Sequence, residues 1–388
     1  MRSGFSVAVC VFVSAGTALA QSERTTFSDL LKEDAAGRSS LGSFGSSSVE
    51  AGGVTQFRFN VNSRDMVGAG EEDTATGFQS RRNTLWFTGS VDRFNYRVQG
   101  NFDFATGTFI LEDAYFTHEV NENWTVGAGQ LYFPVVWENF VTEWHQLAAE
   151  RSVTDSVFGP GRVQGAWAQW ASGRNRAFVA FHDGAATPNT DFTSGAEADY
   201  AFSGRFEHMW AGDDWSRFND FTSFRGGGYA GKVGGAAHWQ SGGSTTGTAD
   251  VDVIMASLDA QAEGDGWNAF VQFIFRDIDV SGGTSFTDYG LVAQGGMFFS
   301  DNTEGFARYD AIFPDDDRGN IDDFHTITVG VNHYFTPGSH DAKFTADFQY
   351  FLTEQTMSIA PVSTATTLLA SGDDSQFAFR GQMQLMLR

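Results

Sequence analysis

Charged side chains recur at every second position in several segments, a spacing that would place them on one face of an extended strand. Arg205 and Glu207 show this spacing, and so do Arg308 and Asp310. A guanidinium offers a fork of N–H donors to a carboxylate or a phosphate, so a row of such groups can bind anions. The alternative is that neighbouring opposite charges neutralise each other. The alternation of side chains along each strand assigns a set of charged residues to this polar face. The basic ones are Arg58, Arg82, Arg97, Arg205, Arg276, Arg308, Lys343 and Arg380, and the acidic ones are Asp103, Asp113, Asp199, Glu207, Asp310 and Asp347.

A second group of chemically active side chains lies in a long segment from Phe133 to Gly161 that carries no clear strand pattern. Its aromatic and carboxylate groups could guide a sugar or select cations. In the alternative interpretation, the tryptophans pack the segment against its surroundings and the charged groups are hydrated. The residues concerned are Trp137, Glu138, Glu143, Trp144, His145, Glu150 and Arg151.

Enzyme and metal motifs are absent from the sequence. It contains no G-x-S-x-G and no H-E-x-x-H pattern. The acidic run from Asp315 to Asp323 lacks the ligand spacing of a calcium-binding EF-hand loop. The single cysteine, Cys10, lies in a segment that is expected to be removed. We therefore expect no catalytic residue, no cofactor and no metal site.

The elements that must position these groups are strands. In the segment from Phe94 to Phe104, apolar residues alternate with Arg97, Gln99 and other polar residues. Segments of about ten residues, each tilted, match the apolar band of a membrane barrel. The sequence thus predicts an all-β fold, a transmembrane antiparallel β-barrel of about sixteen strands, with both ends of the chain on the same side. The predicted segments start near residues 54, 78, 93, 110, 123, 162, 175, 197, 226, 250, 266, 285, 304, 323, 341 and 374.

The connections between these segments alternate in length. Most connections after even-numbered segments are short, as expected for periplasmic turns, although the one from Asp213 to Phe224 is long. The other connections are longer, and the third, from Phe133 to Gly161, is the longest. Connections of that length without regular structure are usually functional or disordered. We expect this third loop to fold into the lumen and to narrow it.

The first twenty residues have the form of a signal peptide. Arg2 precedes a short apolar stretch from Phe5 to Val13, and Ala18-Leu19-Ala20 forms a small-residue cleavage site. Such a signal directs export of the chain and would be cleaved near Ala20. We therefore expect a signal peptide at 1–20, a periplasmic N-terminal segment at 21–53 and a barrel at 54–388, located in the outer membrane of a Gram-negative-type cell.

Composition agrees with an exported barrel. The chain contains 45 Gly and 39 Phe, and its mean hydropathy is slightly negative at -0.25. No apolar run after the signal is long enough for a spanning helix. The net charge of -24 makes nucleic acid an unsuitable partner, since binding it requires a basic surface. The expected partners are outer-membrane lipid and small hydrophilic solutes or ions.

Four stretches resemble the phosphate-selective porins, the porin O and P type of outer-membrane channel. Gln79 to Gly89 is similar to the family's early Arg-Arg strand, and Gly129 to Arg151 to its G-Q segment followed by E-R-S. Met297 to Asp310 resembles the strand pair that ends in A-R-Y-D. Thr328 to Phe335, together with Gln376 to Leu387, resembles the closing strands.

The resemblance implies a homotrimer of sixteen-stranded channels for passive diffusion. The family's anion affinity depends on lysines and arginines along the path, and this chain has only Lys32, Lys232 and Lys343. We therefore expect a porin for small hydrophilic solutes or ions with, at most, a weak preference for phosphate-like anions. The alternatives are a non-conducting structural or adhesive barrel and, last, a barrel enzyme.

Overall fold

The computed structural model describes residues 39–44, 47–67, 72–244, 249–372 and 374–387. The predicted signal peptide, and residues 21–38 of the predicted N-terminal segment, lie outside these described residues. The helices within the described residues are short, and none of these helices has the length and apolar character needed to cross a membrane. The helices are α1 (Trp137–Phe140) and α2 (Val153–Phe158), and the 3-10 turns are Glu143–His145, Trp215–Phe218, Asp316–Arg318 and Gln355–Met357.

Seventeen strands account for most of the described chain. They are β1 (Ser39–Phe44), β2 (Ser47–Asp65), β3 (Glu72–Val91), β4 (Phe94–Phe102), β5 (Phe109–Glu119), β6 (Trp124–Tyr132), β7 (Arg162–Ser172), β8 (Asn175–His182), β9 (Tyr200–Ala211), β10 (Ala230–Ser241), β11 (Val251–Gly264), β12 (Trp267–Val280), β13 (Phe286–Phe298), β14 (Thr303–Phe313), β15 (Phe324–Tyr334), β16 (Ala342–Phe351) and β17 (Phe377–Leu387).

Strands β2 to β17 form a closed barrel of sixteen strands. Each strand pairs antiparallel with the next, and β17 returns to pair with β2, with Phe379 opposite Val61. Among the described strands, closure gives each of β2 to β17 a hydrogen-bonding neighbour on both sides, so the barrel itself has no free sheet edge. The short strand β1 pairs with the beginning of β2, beyond the end of β17. The predicted sixteen-stranded barrel is confirmed.

The alternation in the sequence becomes two faces of the barrel wall. On β2, Gln56, Arg58 and Asn62 are buried, whereas the intervening Phe57 is half exposed. The exposed set consists mainly of Phe, Val, Ile and Leu and faces outward, while the buried set is mainly polar. A wall that is apolar outside and polar inside suits lipid on one side and water on the other.

The connections sort into two ends of the barrel. At one end, tight turns such as 92–93, 173–174 and 265–266 join neighbouring strands, and Gly173 and Gly266 supply the positive φ that such hairpins require. The 212–229 connection at this end is the long exception. At the other end the loops are longer, and 133–161 is the longest. We call residues 133–161 loop 3 and residues 212–229 turn 4.

Thirteen of the sixteen predicted strand starts lie within three residues of the observed ones. Strands β2 and β3 begin seven and six residues earlier than predicted, because they form a hairpin that extends beyond the apolar alternation. Ser47 to Gly53 contains mostly small and polar residues, so hydrophobic periodicity carries no signal there. Strand β10 begins four residues later than predicted, after turn 4.

Candidate functional site

Loop 3 contacts strands from many parts of the ring. Val136 and Trp137 are fully buried. The Ser257 hydroxyl on β11 donates to the Val135 carbonyl, and the Ala149 amide donates to Asp347 on β16 over 2.8 Å. Further contacts, described below, reach β2, β3, β8, β9, β10, β12 and β14. Loop 3 is therefore held by buried side chains on separated strands.

Three arginines on β2 and β3 converge on one carboxylate of loop 3. Arg81 Nε lies 2.6 Å and Arg82 Nη2 lies 2.7 Å from the oxygens of Glu150, and Arg58 Nη2 also donates to it. Burial alone would raise the pKa of Glu150, but the guanidiniums of Arg81, Arg82 and Arg58 outweigh it and hold this pKa well below its ordinary value. Glu150 is therefore ionised at neutral pH.

Arg380 on β17 extends this basic group across the seam of the barrel. Its Nε lies 2.7 Å from Asp347, the same carboxylate that accepts the Ala149 amide. Four guanidiniums thus contact two carboxylates, Glu150 and Asp347, among the described residues, which leaves a positive excess of two. We call this set the arginine stripe: Arg58, Arg81, Arg82 and Arg380.

Arg81 was missed by the parity argument, which selected only Arg82. A β-bulge is the reason: Gln56 pairs with Arg82 but the next residue, Phe57, pairs with Ser80. Arg81 is the extra residue, and at such a bulge two side chains oppose one on the partner strand. The pair of adjacent arginines in the sequence could have indicated the bulge. Neighbouring side chains on a regular strand point to opposite faces, so both arginines can contact one anion only where the alternation is broken.

Next to the arginine stripe lies a group with the opposite excess. Arg162 Nε is 2.7 Å from Asp113, and Arg151 Nη1 is 2.8 Å from Glu143. Burial raises the pKa of Asp155 to about 7, although Arg151 opposes the shift. Arg151 also donates to main-chain carbonyls within loop 3, so it holds the loop's own shape. We call the set the acidic pocket: Arg151, Arg162, Glu112, Asp113, Glu143 and Asp155.

Trp137 of loop 3 lies among three cations of β8, β9 and β10. Lys232 Nζ is 3.2 Å from the centre of its ring, and the guanidiniums of Arg205 and Arg176 are 4.7 and 5.5 Å away. Glu207 accepts hydrogen bonds from all three cations. Arg205 and Glu207, which the sequence placed on one face, form an ion pair at 2.8 Å.

Strand β14 holds the second half of loop 3. Arg308 and Asp310 are paired at 3.4 Å, and both also contact the loop backbone. Arg308 donates to the Glu150 carbonyl over 2.9 Å, and Asp310 accepts the Val153 amide over 3.0 Å. Glu138 lies 3.6 Å from Arg308, and burial raises its pKa although Arg308 opposes the shift.

Trp144 and His145 anchor the middle of loop 3. The indole of Trp144 stacks on Trp86 of β3 with ring centres 5.4 Å apart, and both rings are buried. Lys343 of β16 donates to the Trp144 carbonyl over 3.2 Å. The His145 ring lies 4.7 Å from that of His340, which belongs to the turn before β16. The predicted loop aromatics thus contact the wall on one side and a turn on the other.

Of the remaining predicted residues, Arg276 and Arg97 lie against loop 3 or its packing partners, whereas Asp103 does not. Arg276 on β12 pairs with Asp288 at 2.9 Å near the long-loop end. Arg97 on β4 is buried and lies 5.2 Å from the ring of Trp86. Asp103 follows β4, in the 103–108 connection, where its carboxylate accepts hydrogen bonds from Ala105 and Thr106. It caps a turn rather than lying in a strand.

Turn 4 was not predicted as part of the site, yet its middle is buried and meets loop 3. Phe221 donates its amide to the His145 carbonyl over 3.3 Å and packs on Phe270 at 4.6 Å. Asp220 lies 3.1 Å from His340. Connections at this end of the barrel are normally short, so the unusual length of turn 4 in the sequence could have indicated a role in the site. Within the described residues, no group of three or more His, Cys, Asp or Glu side chains is placed to bind a metal ion.

The sequence matches the family model described as phosphate-selective porin O and P over residues 55–387. The chain belongs to this porin family. The family expected from the four sequence stretches is thereby confirmed, and it indicates an outer-membrane channel rather than an enzyme. No curated protein sequence matches this porin significantly.

Solved structures share the fold of this porin at low sequence identity. The anion-selective porin from Comamonas acidovorans has a TM-score of 0.59 at 13% identity, covering 88% of this chain and 100% of that one. The outer membrane channel DcaP of Acinetobacter baumannii has a TM-score of 0.59 at 12% identity, and the match covers 89% of this chain and 99% of that one. The trimer form of OmpT from Vibrio cholerae has a TM-score of 0.55 at 12% identity, and the match covers 88% of this chain and 99% of that one.

Proposed function

We propose that this porin lets small hydrophilic solutes and ions diffuse across the outer membrane, with a modest preference for anions. The observation that carries the proposal is the arginine stripe, in which four guanidiniums share two carboxylates. Rings of charged side chains set the selectivity of channels. The anion-selective porin from Comamonas acidovorans, which has the same fold, is consistent with this sign.

Loop 3 is the proposed constriction. It folds into the lumen, so that ions pass between it and the wall, and its charged residues form the narrowest part of the path. Support comes from its burial and from its contacts with β2, β3, β11, β12, β14 and β16. Under this proposal the pore-lining residues are Arg58, Arg82, Arg97, Arg205, Glu207, Arg276, Arg308, Asp310, Lys343 and Arg380, and the constriction residues are Trp137, Glu138, Glu143, Trp144, His145, Glu150 and Arg151.

The preference is modest because the charges nearly cancel between neighbouring groups. The arginine stripe has two more cations than carboxylates. The acidic pocket holds four acidic side chains and two cations, and its negative excess is smaller because burial raises the pKa of Asp155 to about 7. Salt further screens charges that face water, with a Debye length of about 10 Å at 0.1 M. An ion therefore meets a positive surface and a negative surface at almost the same level.

Single-channel recording in a planar bilayer tests the proposal. We expect discrete openings, and a reversal potential under a KCl gradient that shows a small excess of chloride permeability. Arg81→Gln should move the reversal potential toward cation preference, and Glu143→Gln should move it toward anions. Arg93→Gln, in an exposed turn away from loop 3, is the control and should leave it unchanged. Strong cation selectivity of the unaltered porin would contradict the proposal.

A non-conducting barrel is the second candidate, and turn 4 is the observation that favours it. Turn 4 and loop 3 meet through Phe221 and His145, so the interior carries insertions from both ends of the barrel. The same recording separates the two candidates, because a structural barrel gives no steps in current. Deleting the buried part of turn 4 would restore conduction in a channel that turn 4 keeps closed, and would change nothing in a structural barrel.

The assembly is proposed to be a homotrimer in lipid, formed after cleavage of the signal peptide near Ala20. The trimer form of OmpT supports the oligomeric state by analogy of fold. We expect the mature chain to begin near Gln21, to carry an N-terminal segment ahead of barrel strand β2, and to resist SDS until heated. Native mass measurement in detergent checks the trimer, and N-terminal sequencing checks the cleavage site. A monomeric mass would remove the trimer while leaving the channel in place.

A further inference from the structure

A cavity of about 540 Å³ lies at the long-loop end of the barrel, between α2 and the ends of β11, β12 and β13. We call it the entrance cavity. Its size lies within the range of about 300–1,000 Å³ that is typical of small-molecule sites. Its described lining includes the apolar residues Val157, Val251, Ile278, Val280, Phe286 and Ile359.

The apolar lining differs from the inner face elsewhere on the same strands. Toward the short-turn end, the buried inner residues of β11 are polar, namely Ser257, Asp259, Gln261 and Glu263. Toward the long-loop end they are apolar, and Val251, Val253, Ile278 and Val280 form a cluster of their own. That cluster is separate from the one in which α2 packs against the wall. Packing of loop 3 therefore does not account for these side chains.

Two guanidiniums are the charged groups in the described lining of the entrance cavity. Arg276 and Arg318 both bind Asp288, at 2.9 and 2.7 Å, so two cations share one carboxylate. Arg276 Nε is buried and finds no hydrogen-bond partner among the described residues. Phe158 and Phe286 lie 4.6 and 4.2 Å from the two guanidiniums and hold their planes. The cavity thus combines an apolar wall with two fixed cations that together carry more positive charge than their shared carboxylate balances.

The loop beside the cavity limits the charge that a ligand can carry. Asp315, Asp316 and Asp317 follow β14 outside the described lining, and two of them are exposed to solvent. They would repel a multiply charged anion approaching the two arginines. A single carboxylate can bind a guanidinium through two parallel hydrogen bonds and carries the smallest repulsion.

We infer that the entrance cavity binds a monocarboxylate with an apolar body, such as an aromatic acid. The apolar body lies against Val251, Ile278 and Val280, and the carboxylate meets Arg276 and Arg318. The inference deepens the proposed channel function by naming a solute class, and it rests on that function for passage but not for binding.

Equilibrium binding to the full-length porin in detergent tests the inference directly, with sodium benzoate as the probe. Sodium acetate has the same head group without the ring, and benzamide has the ring without the charge. Because burying an aromatic ring favours binding, benzoate should bind about tenfold more tightly than acetate. Benzamide should bind more weakly than benzoate. Equal affinities for benzoate and acetate, or for benzoate and benzamide, would overturn the inference.

Two variants separate the roles of the lining. Val280→Thr keeps the side-chain shape but makes it polar, so it should weaken benzoate binding severalfold and leave acetate unchanged. Arg318→Gln should weaken both and keep their ratio. Val120→Thr and Arg93→Gln, at the other end of the barrel, are the matched controls and should bind benzoate as the unaltered protein does. If Val280→Thr and Arg318→Gln, with SDS resistance retained, bind benzoate like the controls, the assigned cavity is wrong.

Conductance in KCl keeps the two proposals distinguishable. A porin that conducts KCl but does not distinguish benzoate from acetate keeps its channel function and loses the entrance site. A protein that binds benzoate as expected but shows no current loses the channel function and keeps the site.

Discussion

Replacing Glu150 by Gln removes the carboxylate on which Arg58, Arg81 and Arg82 converge. The amide of Gln can still accept hydrogen bonds, but the local charge becomes one unit more positive. At about 6 Å from an ion's path in water, a unit charge is worth about 0.7 kcal/mol. Screening at 0.1 M salt reduces this to about 0.4 kcal/mol. The change is favourable for chloride and unfavourable for potassium, so the chloride-to-potassium permeability ratio should rise about fourfold.

The dependence on salt distinguishes a charge effect from a displaced loop. In 1 M KCl the Debye length is about 3 Å, and the rise in permeability ratio should fall to less than about twofold. A loop released from its three arginines would instead alter single-channel conductance at every salt concentration. Reversal potentials at both concentrations provide the measurement. Glu72→Gln, which removes an exposed carboxylate at the end of β3, is the control. An unchanged ratio for Glu150→Gln at 0.1 M would refute the assignment of this carboxylate to the ion path.

Three other expectations follow from the same contacts. Trp144→Ala removes the ring that stacks on Trp86, so loop 3 should be less firmly held and single-channel conductance and current noise should both rise, which noise analysis would detect. Low-millimolar phosphate should leave the chloride current unblocked. If phosphate blocks that current and Arg82→Ala relieves the block, the proposed weak anion preference is wrong. Burial raises the pKa of Asp220 from 3.8 to about 6, with His145 opposing the shift, so the docked state of turn 4 loses stability as pH rises through that range. Hydrogen exchange of residues 212–229, corrected for its intrinsic pH dependence, should increase over this range in the native protein and stay constant in Asp220→Asn.

Hydrophobic alternation was enough to predict the barrel, because a membrane wall imposes the same two-residue period on every strand. Strand β12 illustrates this: its start was predicted near 266 and lies at Trp267. Strand ends were predicted wrongly where contact with lipid does not set the residue pattern. Ser47 to Gly53 of β2 pairs with β3 through backbone hydrogen bonds, and neither its small residues nor its polar ones mark a face.

The candidate site was less predictable, because it depends on contacts between residues far apart in the chain. Parity placed Arg58 and Arg82 on the inner face, but nothing local indicates that both bind Glu150, which lies 92 and 68 positions away. Placing Arg81 at the site required knowing that β3 carries a bulge, and the bulge is defined only by the pairing register between β3 and β2. Turn 4 was recognised as too long, yet its contact with His145 depends on where loop 3 lies.

The contacts of loop 3 also bear on how the barrel closes. The seam joins β17 to β2, the two barrel strands that are most distant in the chain, and a pairing of such long range is slow to form. Loop 3 contacts strands at and beside that seam, through Glu150 to Arg58 of β2 and through Ala149 to Asp347 of β16, which neighbours β17. Two consecutive residues therefore bridge the first and last parts of the sheet. In the folded barrel these two contacts add side-chain links to the backbone pairing by which β17 meets β2.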